Sequence, residues 1–201
     1  ARRVSVRPSR VAPVLSILPM YAGSMPNVRL GKSDPFDSAP VSRQYSGMDA
    51  RLLQINTSPG GVPKLPVFSA RVTKAGIEGD GHTYSGHGGP EKALCLYSLE
   101  RIIELQHEGH PIFPGSTGEN LTIAGLDWSR VAPGDRFAIG NEVVMQIASY
   151  TEPCGKIAGS FRDGRIERMA QRNHPGWARL YARVLAEGTI VPGDAVRPLP
   201  A

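Results

Sequence analysis

Hydrophobic periodicity is missing from the first quarter of the chain and regular after it. Residues 1–50 are short polar and apolar pieces broken by Pro8, Pro13, Pro19, Pro26, Pro35 and Pro40. That composition predicts a flexible, proline-rich N-terminal segment ahead of a folded body over 51–201. At Arg51 the pattern changes. Leu52, Leu53, Ile55 and Asn56 predict a first strand, closed by the turn Thr57-Ser58-Pro59-Gly60-Gly61. Val67, Ala70 and Val72 predict a second. Residues 77–90 hold six glycines or prolines, two histidines and an aspartate, a composition that predicts a loop. The apolar run Ala93-Leu94-Cys95-Leu96 is expected to lead into the chain's one helix. Ser98 would cap that helix, with Arg101 where an acidic partner is usual, and Gly109 would stop it.

The rest reads mostly as strand. Residues 120–123 form a short strand and 127–131 a single helical turn. Residues 136–140 and 143–148 alternate across a Gly-Asn turn as a hairpin, and Trp177 to Leu185 form a further strand. Pro133-Gly134-Asp135 and Pro192-Gly193-Asp194 are matching turn devices ahead of strands, with Gly supplying positive φ and Asp bonding to backbone amides. Gly 23 and Pro 18 make up about a fifth of the 201 residues, which disfavours long helices. The expected fold is therefore mainly β with minor α, a barrel-like arrangement rather than a doubly wound sheet.

Charge changes the picture little. Of the net +5, most lies in the first fifty residues, with seven basic against three acidic; the remaining sixteen and fifteen nearly cancel. A near-neutral body without interleaved aromatic and basic residues argues against nucleic-acid binding. No run of eighteen apolar residues predicts a membrane span. Arg2, Arg3, Arg7 and Arg10 precede the apolar residues 11–20 in an outline that weakly resembles a targeting peptide, but no clean cleavage site follows. Two cysteines without metal-ligand spacing fit a reducing compartment and a cytoplasmic location.

Candidate chemistry centres on Thr151-Glu152-Pro153-Cys154-Gly155-Lys156. Pro restricts the backbone before Cys154, Gly permits close approach after it, and a cation two residues on favours a thiolate, either nucleophile or soft-metal ligand. A semi-buried structural cysteine beside a turn fits the same residues. Cys95 reads as core. Asp80, His82 and His87 suit metal binding or proton transfer, or else a solvated glycine loop. Gly88-Gly89-Pro90-Glu91-Lys92 departs from a nucleotide phosphate loop yet offers amides and Lys92 to an anion. Gly118-Glu119-Asn120 also reads as an ordinary turn. Arg162, Arg165 and Arg168 make either a solvated face or, folded toward Cys154, an oxyanion clamp.

In order, Gly60-Gly61-Val62-Pro63-Lys64, Gly79-Asp80 with residues 87–93, Gly118-Glu119-Asn120-Leu121, Gly134-Asp135-Arg136-Phe137 and Glu152-Pro153-Cys154 resemble the MOSC family. This is the domain at the C-terminus of molybdenum cofactor sulfurases, found also as stand-alone proteins. The likeness runs from about Arg51 to Val196. It implies a strand-rich barrel whose single pocket cysteine, here Cys154, carries sulfur or binds molybdenum as a metal ligand. By the same analogy, Lys74, His87, Lys92, Asn120, Arg162 and Arg168 are the candidates for holding the anionic molybdenum cofactor.

Three functions follow from the resemblance. The first is a molybdenum-cofactor oxidoreductase that reduces N-hydroxylated compounds with an external electron donor, because the chain has no iron–sulfur pattern and no flavin or nicotinamide fingerprint. The second is a sulfur carrier holding a Cys154 persulfide delivered by a separate sulfur donor. The third is a binding module without chemistry. Pyridoxal phosphate is not expected, since no lysine stands out as its Schiff-base partner. Expected partners are a small-molecule substrate and a separate reductase or sulfur donor.

Overall fold

The computed structural model describes residues 49–83, 86 and 88–200, so the N-terminal segment expected over 1–50 lies almost wholly outside the described residues. Among the described residues there are eleven strands. They are β1 (Arg51–Thr57), β2 (Leu65–Val67), β3 (Ala70–Thr73), β4 (Gly76–Ile77), β5 (Leu94–Ser98), β6 (Leu121–Ala124), β7 (Arg136–Ile139), β8 (Val143–Tyr150), β9 (Leu180–Ala186), β10 (Gly188–Ile190) and β11 (Val196–Leu199). One α-helix, α1 (Leu99–His107), joins β5 to β6. In β8, Val143, Met145 and Ile147 point inward, and in β9 Leu180, Ala182 and Val184 do the same. This two-residue period is what a sheet with one buried face requires.

Eight strands form one sheet in the order β11-β7-β8-β9-β5-β6-β1-β2, and β10-β3-β4 form a second. All ladders are antiparallel except β5 beside β6. There α1 supplies the crossover that a parallel neighbour needs.

The expected barrel is not found. The large sheet keeps two ends, β11 and β2, and no ladder joins them. Its curl does bring residues 193–196 against the start of β1. Leu52 N–H donates to Asp194 O at 2.8 Å and Gly193 N–H to Leu52 O at 2.7 Å, around an isolated bridge between Arg51 and Ala195. Closure fails because the chain spends β2 on the outer edge of β1 and places β3, β4 and β10 in a sheet of their own.

Two local expectations also change. The single strand expected through Val67, Ala70 and Val72 breaks at Phe68-Ser69 into β2 and β3, which belong to different sheets. The apolar run 93–96 is not a helix entry. It opens β5, all five residues of which are buried between β9 and β6. A short continuous apolar run has no period, so burial on both faces and helix entry look alike in sequence.

The punctuation behaves as expected. Ser98 Oγ accepts from Arg101 N–H at 3.3 Å and lies 2.6 Å from Glu100 Oε2, whose other oxygen accepts from Gly125 N–H at 2.7 Å. Gly109, at φ 87°, ends the helix. In the twin Pro-Gly-Asp turns, Asp135 accepts from Ala132 N–H and Asp194 from Val191 N–H, each at 2.8 Å. Beneath the large sheet, Ile102 and Leu105 of α1 pack with Leu52, Leu96, Leu121 and Ile123.

Ser98→Ala removes the cap and one anchor of Glu100 together. It should lower unfolding free energy by about 1 kcal/mol in urea titration, without changing the slope of the transition.

Candidate functional site

One end of the large sheet gathers the polar residues that the sequence leaves scattered. Because β5 and β6 run parallel and β1, β8 and β9 alternate around them, the starts of β5, β6 and β9 meet the ends of β1 and β8. Cys95 comes from the first turn of strand in β5 and faces Tyr181 of β9 directly across the ladder. Asn120 precedes β6, and Arg179 precedes β9. Cys154 follows β8 by way of Thr151-Glu152-Pro153. The β1–β2 turn adds Gly61, Val62 and Lys64, and the loop after β4 adds Gly81, His82, Thr83, Gly88 and Lys92. Together these line an open pocket of about 90 Å³.

Its wall is organised by Asp80. The Asp80 carboxylate accepts from Ser58 N–H at 3.0 Å, from Asn120 Nδ2 at 2.9 Å and from Lys64 Nζ in a buried ion pair. Asn120 Oδ1 in turn accepts from Cys95 N–H at 3.1 Å, and its Nδ2 reaches Asn56 O at 3.3 Å. One amide thus fixes the start of β5, the end of β1 and the glycine loop. His82 Nε2 lies 3.9 Å from Asp80. Gly88 makes room for its ring: at φ 76°, a Cβ there would sit 3.3 Å from His82 Cε1. The loop is also tied to the cysteine segment, since Lys156 Nζ reaches Thr83 Oγ1 at 3.4 Å.

Four cations line the pocket: Lys64, Lys92, Lys156 and Arg179. Among the described residues Glu152 is the one acidic lining residue. Lys92 Nζ donates to Gly86 O at 2.8 Å and lies over the Tyr181 ring at 5.6 Å. Arg179 is buried and donates from Nη1 to Thr117 O. Nearby Glu119, also buried, accepts from Gly115 N–H at 2.5 Å and shares a 2.7 Å hydrogen bond with Thr117 Oγ1. Burial pushes the Glu119 carboxyl and the Cys95 thiol above their ordinary values. Burial also pushes Tyr181 up to about 12, with the Cys95 and Cys154 sulfurs acting in the same direction. Cys154 is half-buried, whereas Cys95 is enclosed.

Of the site residues expected from sequence, the structure brings Cys154, Lys92 and Asn120 to this pocket. His87 lies outside the described residues. Lys74 is exposed in the β3–β4 turn, where its N–H meets Glu187 at 2.8 Å. Arg162 is exposed; its N–H donates to His110 Nδ1 at 3.1 Å. Arg168 grips both Glu108 oxygens, at 2.9 and 2.5 Å, and lies 3.5 Å over the Trp177 ring. None of these three lines the pocket. The expectation of molybdenum ion binding is also corrected: among the described residues no three His, Cys, Asp or Glu side chains converge to hold a metal ion. Sequence reasoning missed Lys64, Arg179, Thr117 and Tyr181. Lys64 carried a signal, sitting beside Gly60-Gly61 in a matched stretch. Arg179 carried none, because a lone arginine at a strand start is ordinarily exposed.

The strand-built pocket thus carries one accessible thiol, Cys154, and a cationic wall. The MOSC domain model matches residues 83–197, and the chain belongs to that family. It is 37% identical over 136 residues to YflK of Bacillus subtilis, covering 66% of this chain and 60% of that protein. It is 31% identical over 144 residues to a protein named Reductase from Gibberella moniliformis, covering 67% of this chain but only 25% of that one. Among solved structures, YiiM from Geobacillus stearothermophilus superposes with a TM-score of 0.59 at 27% identity, covering 75% of each chain. The chain therefore spans less than two thirds of these sequence relatives. Among the described residues, no helix is long and apolar enough to cross a membrane.

The Arg168–Glu108 grip makes a pH-dependent prediction. Its hydrogen bonds hold the Glu108 carboxyl below the ordinary value of 4.5. The folded state therefore releases that proton more readily than the unfolded chain, so the stabilisation is present above 4.5 and disappears as pH falls through the folded value. Arg168→Ala should lower the melting temperature at neutral pH and make the acid-side decline shallower. The rate of Cys154 alkylation should be unchanged, because Arg168 does not reach the pocket.

Proposed function

We propose that this chain binds the molybdenum cofactor, an anionic pterin, in the pocket at the sheet end. We further propose that it serves as the cofactor-bearing part of an oxidoreductase that removes oxygen from N-hydroxylated small molecules in a reducing, cytoplasmic setting. The observation that carries this reading is the convergence of one accessible thiol, Cys154, with Lys64, Lys92, Lys156 and Arg179 on a single pocket. The residues fit the group: a pocket with four cations and one acid suits an anion, and among the described residues the buried Arg179 Nε has no hydrogen-bond partner.

In this reading Lys92 and Lys156 stand at the mouth and attract the anionic cofactor, while Lys64 and Arg179 form the inner wall. Cys154, the accessible sulfur of the pocket, would meet the cofactor's metal. When bound, the cofactor supplies a two-electron redox centre. Replacing N–OH by N–H consumes two electrons and two protons and releases water, so a separate electron donor belongs to the proposal. The name of the fungal relative, of which this chain spans 25%, supports a reductase partner or neighbour.

The test is native mass spectrometry and elemental analysis of protein purified anaerobically from its own cell, beside Cys154→Ala. Stoichiometric pterin and molybdenum in the parent, with molybdenum at least about tenfold lower in the variant, is the expected result. Parent protein without either, from a host rich in the cofactor, overturns the reading. A single added sulfur on Cys154 would instead favour the sulfur-carrier function.

A further inference from the structure

Of the three tyrosines among the described residues, one leaves its hydroxyl unused. Tyr97 donates to Trp177 O at 3.2 Å and Tyr150 to Val131 O at 3.5 Å. The Tyr181 hydroxyl has no hydrogen-bond partner among the described residues, although the residue is half-buried and lines the pocket. A tyrosine that has given up part of its water ordinarily finds another partner, as the other two have done.

Alternation along β9 sets the direction of this side chain. Leu180, Ala182 and Val184 are buried in the core, so Tyr181 and Arg183 project from the opposite face. Arg183 is taken up there by Glu91 at 2.9 Å. Tyr181 is the ladder partner of Cys95, whose own neighbours Leu94 and Leu96 belong to the core, and the two therefore share the pocket face. Lys92 lies 5.6 Å over the ring and holds it from above. The groups that act on the phenol oxygen are Cys95, Arg179 and Cys154, all of which line the pocket. Burial keeps the phenol protonated at neutral pH, so it stands beside the thiols as an uncharged donor. The pocket's cations suit an anion, whereas a neutral O–H suits the oxygen of a neutral ligand.

We infer that the Tyr181 hydroxyl is a specificity-determining donor, which hydrogen-bonds the oxygen of an N-hydroxylated substrate and holds it on the Cys154 side of the pocket. The inference rests on the proposed reaction for the identity of that substrate. A donor left without a partner penalises any ligand that lacks the oxygen. Tyr181 therefore separates the N-hydroxylated compound from its deoxygenated product, and the same loss favours product release.

The probes are N-hydroxyurea and urea, a small neutral pair that differs by the one oxygen. Each is titrated against the rate of Cys154 alkylation by iodoacetamide in the full chain, free of cofactor. N-Hydroxyurea should protect Cys154 at a concentration about fivefold lower than urea. Tyr181→Phe keeps the ring under Lys92 and removes only the hydroxyl. It should erase that difference and leave the urea value unchanged, which damage to the pocket would not do. N-Hydroxyurea should also give a tyrosine difference band in the near-ultraviolet spectrum of the parent, a readout that stands even if the variant does not fold. Equal protection by the two probes, a Tyr181→Phe variant that still separates them, or a parent without the difference band overturns the inference. A variant that keeps the separation but loses molybdenum assigns the hydroxyl to the cofactor and overturns it too. If native protein carries no cofactor while Tyr181 still separates the probes, the donor stands and the cofactor reading falls. If the cofactor is present and the probes are not separated, the cofactor reading stands and the donor falls.

Discussion

The buried ion pair between Lys64 and Asp80 is the constraint around which this end of the molecule is arranged. Two charges taken from water cost several kcal/mol each unless their remaining hydrogen-bonding capacity is filled. Here Ser58 N–H and Asn120 Nδ2 complete Asp80, and Asn120 then spans to Cys95 N–H and Asn56 O. The β1–β2 turn, the glycine loop and the starts of β5 and β6 are thereby held in one network. Breaking either partner would leave an uncompensated charge beside the pocket, so the site and the local fold stand or fall together.

The same network explains how a loop so rich in glycine can line a pocket. Residues 77–90 have almost no apolar side chains to bury, so hydrophobic packing cannot place them. Polar anchors do it instead: Asp80 at one end, Lys92 on Gly86 O at the other, and Lys156 reaching Thr83 from the cysteine segment. The arrangement couples Cys154 to the loop opposite it. An anion entering between them would meet lysines contributed by three separate stretches of chain.

Much of the fold was legible because it depends on local rules. Period-two alternation marked β7 and β8, Ser98 and Gly109 bounded α1, and the Pro-Gly-Asp turns placed their aspartates on backbone amides as composition implies. The barrel was not legible. Whether a sheet closes depends on which strands become its edges, and residues 65–73 read as one strand although a bend at Phe68 sends the halves to different sheets. The site was read in part. Cys154, Lys92 and Asn120 sit in recognisable motifs, whereas Arg168 resembles Arg179 in sequence and differs from it entirely in role. One closes on Glu108 and Trp177, and the other faces a pocket.

The sequence by itself determined the ends of α1, the hairpin of β7 and β8, the family and the one accessible thiol, because each follows from neighbours along the chain. Only the tertiary structure decided which cations share the pocket with that thiol. Lys64, Lys92, Lys156 and Arg179 are spread over more than a hundred residues, and a cation becomes a binding group through what surrounds it in space. Burial, the partners already engaged and the side left open are properties of strand order and register, which no local pattern encodes.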